Sequence, residues 1–194
     1  MTKTYKYIIG IDEVGRGPIA GPVSVGAVLL PKDYSWQNFD GLKDSKKLTE
    51  KNREVWFSKV CEMSDVSYAV SSVSEKIIDS GGIVPAIRTA LSQSLKKLDV
   101  EPNECLVLLD GGLYAPEEFI YQKTIIKGDE KECAIALASV MAKVTRDRKM
   151  VQFGGEYSEY GFETHKGYGT KKHYEKIREH GLCDIHRRSF LKSL

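Results

Sequence analysis

Tyr7-Ile8-Ile9-Gly10-Ile11 is an apolar, β-branched run that ends on two adjacent acids, Asp12 and Glu13, and then opens into Gly15-Arg16-Gly17. It reads as a buried strand over 5–11. A second run, Val23-Ser24-Val25-Gly26-Ala27-Val28-Leu29-Leu30, reads as its partner across the Gly/Pro-rich segment 15–22, so that a hairpin opens the fold. A buried strand has no packing use for carboxylates at its exit, because desolvating either costs free energy unless a cation or hydrogen bonds compensate it. The same residues also make an ordinary turn, since Asp and Gly both favour turns. Adjacent residues of a regular strand point to opposite faces, so Asp12 and Glu13 share a site only if the strand bends, which Gly10 and Gly15 make feasible.

Outward from this hairpin, Thr49 precedes a helical pattern over 50–63, with Val55, Trp56, Lys59 and Val60 on one stripe. Residues 66–73 alternate polar and apolar and read as a third strand. A helix follows over 83–98, carrying Ile87, Leu91, Leu95 and Leu98 at helical spacing. Cys105-Leu106-Val107-Leu108-Leu109 is a buried strand ending at Asp110, and 121–126 is a further short strand. The longest helical pattern spans 130–151, where Ala134, Ala136, Ala138, Ser139 and Ala142 allow a neighbouring backbone to approach closely. Strands first, then alternating strand and helix, give an α/β fold with a mixed sheet flanked by helices. On such sheets ligands meet strand ends and helix N-termini.

The chain has 194 residues, 41% hydrophobic and 29% charged, which fits one globular domain with a real core. No stretch resembles a membrane span or a secretory signal, so the expectation is a cytoplasmic protein with no membrane association. Cys61, Cys105, Cys133 and Cys183 have no metal-binding spacing and read as reduced thiols, three of them within apolar stretches. Net charge is only +2, but 165–194 carries eight Lys/Arg against three acids, together with all four histidines. Such a tail is either a solvated face or a surface for an anionic polymer.

Asp110 repeats the pattern of Asp12: an apolar strand ends in an acid, and Gly111-Gly112 releases the chain. Asp129 opens the long helix and, with Glu132 three residues on, makes a plausible capping box, although an N-cap can offer its second oxygen to a cation. If Asp12, Glu13, Asp110 and Asp129 converge, each like pair about 4 Å apart costs about 4 kcal/mol at an effective dielectric near 20, so the cluster needs cations. Hard oxygen ligands suit Mg²⁺ or Mn²⁺ and not zinc. Asp147 would stand about 27 Å along the helix from Asp129 and pairs instead with Lys143, Arg146 or Arg148 on a helix surface.

Four segments together resemble the type 2 ribonuclease H family, ribonuclease HII. They are Asp12-Glu13-Val14-Gly15-Arg16-Gly17-Pro18-Ile19-Ala20-Gly21-Pro22-Val23, Asp44-Ser45-Lys46-Lys47-Leu48, Ala142-Lys143-Val144-Thr145-Arg146-Asp147 and His165-Lys166-Gly167-Tyr168-Gly169-Thr170, and the likeness runs on to Ile185-His186-Arg187-Arg188-Ser189-Phe190. The resemblance implies a ribonuclease H-like mixed sheet over 1–155 with a C-terminal helical, substrate-binding region over 156–194 packed on the same domain. It implies an endonuclease that hydrolyses the RNA strand of RNA/DNA hybrids and cuts 5′ of single ribonucleotides in duplex DNA, working in primer removal and ribonucleotide excision repair.

Carried over position by position, the family's acidic metal ligands fall on Asp12, Glu13, Asp110 and Asp129. Gly15-Arg16-Gly17 matches the segment that reads the ribose 2′-hydroxyl, and Tyr168 matches the aromatic that packs on the next, deoxy sugar. Val14 stands where alanine is commoner, and Gly112 where many relatives have Asn. Two Mg²⁺ or Mn²⁺ ions would activate water and stabilise the leaving 3′-oxygen, giving 5′-phosphate and 3′-hydroxyl ends. Lys46, Lys47, Lys143, Arg146 and Lys166 are the candidate phosphate contacts of an expected monomer.

Three rivals stand beside this reading. They are a nucleotide-dependent kinase using the glycines of 10–21, which lacks a Gly-Lys-Ser/Thr loop; a non-catalytic duplex-binding module; and the type 3 relative, which carries an extra N-terminal domain, whereas here the first acid arrives after eleven residues.

Overall fold

The computed structural model describes residues 5–34, 36–39, 41–42 and 48–192. Strand β1 (Tyr7–Val14) pairs antiparallel with β2 (Val23–Pro31), which pairs antiparallel with β3 (Ser67–Val73). On its other side β1 runs parallel to β4 (Cys105–Asp110), and β4 runs parallel to the short β5 (Gln122–Ile125). The sheet order is therefore β3-β2-β1-β4-β5, with β1 at the centre. The helices are α1 (Glu50–Glu62), α2 (Glu75–Gly81), α3 (Ile83–Leu98), α4 (Cys133–Glu156), α5 (Phe162–His165) and α6 (Lys171–His180).

Alternation along β1 explains the two-layer packing. Ile9 and Ile11 face α3 and join Ile87, Leu91, Leu95, Val107 and Leu109 in one buried core. Gly10, on the other face, lies against α4: a Cβ built there would stand 2.0 Å from the Ala134 carbonyl carbon, and one at Gly26 of β2 would stand 2.4 Å from the Ala138 oxygen. Glycine on the strands and alanine on the helix thus bring α4 down onto the sheet. Beyond α4, Trp56 and Val60 of α1 complete a second core with Phe39, Leu137 and Met141.

Several local expectations are corrected. The first strand does not end at Ile11 but continues to Val14, because β2 keeps pairing with it through Glu13↔Val25 and Val14↔Ser24. Val55 is 56% exposed and leaves the α1 stripe to Trp56 and Val60. The long helix begins at Cys133 and is N-capped by Glu132 without a side-chain bond, while Asp129 sits in a preceding single turn, Gly128–Glu130, and so is not the N-cap of that helix. Cys61 is exposed and Cys183 half-buried; only Cys105 and Cys133 are core thiols. The basic tail is not a solvated face throughout: His173, His186 and Arg187 are buried around a third core of Ile19, Tyr160, Phe162, Ile177 and Ile185. Among the described residues no helix is long and apolar enough to cross a membrane.

Candidate active site

In the parallel β1–β4 register the last paired residues are Ile11 and Leu109, so Asp12 and Asp110 are the next step on adjacent strands and share the α4 face. Asp12 is 4% exposed. Its Oδ1 accepts the Glu13 N–H at 2.8 Å, and Ser139 of α4 hydrogen-bonds the same carboxyl. Burial pushes that carboxyl up to about 7, with Glu13 and Asp110 adding repulsion that the Ser139 bond offsets in part. Asp110 Oδ1 accepts the Gly128 N–H at 2.7 Å, which ties the end of β4 to the turn that carries the buried Asp129.

Glu13 leaves β1 on the opposite, α3 face, because the ladder with β2 stays regular and the strand does not bend at Gly10. Burial raises its carboxyl too; Arg16, whose Nη1 is 3.6 Å from Oε1, opposes that rise, and Asp110 adds to it. Among the described residues no three His, Cys, Asp or Glu side chains stand in metal-holding geometry. The donor chemistry nevertheless fits a hard cation: three carboxylates within electrostatic reach of one another at one sheet edge, two of them destabilised by burial.

The chain leaving this edge is gripped by two fully buried arginines. Arg146 of α4 donates Nε to the Pro22 carbonyl at 2.9 Å, Nη1 to Lys166 at 2.9 Å and Nη2 to Ala20 at 3.3 Å. Arg187 donates Nε to Gly21 at 2.9 Å, Nη1 to Arg16 at 3.1 Å and Nη2 to Gly15 at 2.6 Å. Gly15 has φ +87°, and a Cβ there would meet Arg146 Nε at 2.2 Å, so the loop and its clamp require glycine. Burial lowers Arg146 to about 10 and Arg187 to about 9, the latter helped by its neighbour Arg146, and both stay charged at neutral pH. The clamp leaves Arg16 and Gly17 at the surface. The Ile19 N–H donates to Gly167 at 2.9 Å, which brings the loop of Tyr168, itself 45% exposed, alongside.

Arg146 is therefore not a phosphate contact: it has no exposed surface, and its donors are spent on carbonyls. Lys143 pairs with Asp147 at 2.9 Å, but Asp147 is 7% exposed and not on a helix surface. Lys166, half-buried, turns its Nζ onto the Glu163 carbonyl. Lys46 and Lys47 lie outside the described residues. The sequence reading missed Arg187 and the histidines. Their signal was the apolar frame Ile185 to Phe190 around His186 and Arg187, which a free charged tail would not carry.

A family model described as Ribonuclease HII matches residues 9–193. The ribonuclease HII of Caldicellulosiruptor bescii is 43% identical over 194 residues, covering all of this chain and 91% of that protein. Among solved structures, the ribonuclease H2 of Pyrococcus horikoshii superposes with TM-score 0.73 at 28% identity, covering 94% of this chain and 93% of that one. Bst ribonuclease HIII in complex with Mn²⁺ superposes with TM-score 0.67 at 18% identity over 97% of this chain and 66% of that one, a likeness of fold alone.

Proposed function

The chain belongs to the ribonuclease HII family, enzymes of the type 2 ribonuclease H class that act on RNA/DNA hybrids, and from that premise we propose that it cuts the RNA strand by metal-assisted hydrolysis and incises 5′ of a lone ribonucleotide in duplex DNA. The observation that carries this reading is the placing of Asp12 and Asp110 on one face at the ends of adjacent strands, Asp12 buried and repelled by Asp110, beside a glycine loop held from behind.

Asp12, Glu13, Asp110 and Asp129 are the residues that would hold two divalent ions, Mg²⁺ or Mn²⁺, whose chemistry is to acidify a water and neutralise the departing 3′-oxygen. Glu13 reaches the Asp12 side of β1 only by swinging round the strand end, which requires Arg16 to release it. Arg16, bound to Glu13 by one long contact, is the cation best placed to exchange that partner for a substrate phosphate or 2′-hydroxyl. The exposed Tyr168, one residue from the Gly167–Ile19 bond, would lie against the following sugar, where a 2′-hydroxyl would crowd it. This activity would serve ribonucleotide excision and primer removal in the cytoplasm, the protein acting as a monomer.

The test is duplex DNA bearing one ribonucleotide, incubated with Mg²⁺ and either the wild type or Asp110→Asn. The wild type should cut on the 5′ side of the ribonucleotide, and Asp110→Asn should be slower by at least about 100-fold. An unchanged rate for Asp110→Asn would remove the carboxylate site from the reaction.

A further inference from the structure

Behind the Tyr168 loop lies a row of three imidazoles. His173 on α6 is 0% exposed and His186 is 1% exposed, and their Nε2 atoms stand 3.1 Å apart. Their protons can be assigned from either end. At one end the Cys183 backbone N–H, which can only donate, points at His186 Nδ1 from 3.0 Å, with the Cys183 thiol sulfur 3.1 Å from the same nitrogen. Nδ1 of His186 is therefore bare, and a neutral ring carries its proton on Nε2, aimed at His173. At the other end the Tyr168 carbonyl oxygen, which can only accept, lies 2.9 Å from His173 Nδ1, so that nitrogen holds the proton of His173 and its Nε2 is the acceptor. The two ends agree on one direction: Cys183 N–H to His186, His186 to His173, His173 to Tyr168.

His165 works in parallel. Its ring stacks on His173 at 4.2 Å, its Nε2 meets the Tyr160 carbonyl at 2.8 Å, and its Nδ1 accepts the Gly167 N–H at 3.2 Å. Gly167 and Tyr168 are thus each tied by backbone to a separate imidazole. The loop needs the support, because Lys166 and Gly167 both have positive φ, +52° and +86°, the first unfavourable for a side-chain-bearing residue. Tyr168 is 45% exposed and its phenol lies within electrostatic reach of Arg146 and Arg187, so its backbone, held at the carbonyl, sets where its ring starts from.

We propose that His173 is a positioning residue for Tyr168: the Cys183–His186–His173 relay fixes the Tyr168 carbonyl and thereby aims its ring at the substrate. This rests on the reading of Tyr168 as the sugar contact, and the experiment separates the two. The ratio of kcat/KM on duplex DNA with one ribonucleotide to that on an all-RNA hybrid is measured for the wild type, Tyr168→Ala, His173→Gln and His173→Asn, with thermal unfolding of each. The Asn amide nitrogen takes the place of Nδ1 and keeps the donor to Tyr168; the Gln amide takes the place of Nε2 and loses it.

Tyr168→Ala and His173→Gln should each lose about tenfold of the preference, and His173→Asn, which keeps the donor to Tyr168 but severs the His186 link, should lose only about threefold. If Tyr168→Ala loses the preference while His173→Gln keeps it, the relay is overturned and the Tyr168 reading survives. If Tyr168→Ala changes nothing, both fall. If Asn and Gln at 173 lose it equally at equal stability, the donor assignment fails. Should His173→Gln not fold, His186→Leu, which deprives His173 of its donor, is expected to lose about threefold, and no loss would overturn the relay.

Discussion

Asp12 and Arg187 are both buried ionisable side chains within a few ångströms of one loop, and the fold compensates them in opposite ways. Arg187 gives each of its three guanidinium nitrogens a carbonyl of that loop. Asp12 has one serine and one backbone N–H against burial and two neighbouring acids, and its carboxyl rises to about 7. A buried charge fully matched by dipoles serves structure, whereas one left short of partners marks a place where something from outside completes it.

The comparison can be broken most sharply at Arg187. Arg187→Met should cost about 3–5 kcal/mol in urea unfolding, since it orphans the Gly15, Arg16 and Gly21 carbonyls at once. A loss under about 1 kcal/mol would mean the clamp is not what holds the loop.

The histidine layer sharpens the contrast by pH. His173 and His186 are both held down to about 4, chiefly by burial, from an ordinary 6.5. Between those values the unfolded chain binds protons that the native chain refuses, so stability falls as pH drops from about 6.5 toward 4. The groups facing the pair are His165, Cys183, Arg188, the Phe162 and Tyr160 rings and the Tyr168 carbonyl, none of them an acid. Because Asp12 titrates in the opposite sense over the same range, the loss, about 3 kcal/mol, is best read in the Asp12→Asn background. A flat pH profile there would contradict the neutral relay.

The smallest effect has the reverse sign. Raised above its unfolded value, the Asp12 carboxyl lends the native state stability at low pH that is lost as pH climbs from about 4 to about 7. Asp12→Asn should therefore stabilise the metal-free protein at pH 8 by about 2 kcal/mol while abolishing cleavage, and added Mn²⁺ should raise the wild-type Tm more at pH 8 than at pH 5. Equal stability of the two proteins at pH 8 would show that Asp12 is better compensated than its burial suggests.

Much of this is legible in residue order. The β-branched run before Asp12, its echo before Asp110 and the alanine-rich helix specify strands, a central position and a close helix, since apolar periodicity reports local geometry. Arg146 and Arg187 are not legible in the same way: a lone arginine in a helix or a basic tail reads as surface, and only six carbonyls, five from the segment 15–22 and one from Lys166, make them scaffold. Nor could periodicity foresee that β2 would keep β1 straight and so part Glu13 from Asp12.

What the sequence determined by itself was the inventory and its local settings: which strands form, which acids stand at their exits, and where glycine must stand. Which buried charges are matched and which are left wanting was decided by tertiary structure alone, because compensation depends on donors and acceptors brought from distant parts of the chain, and electrostatic energy depends on distance and solvent exclusion that no single segment contains.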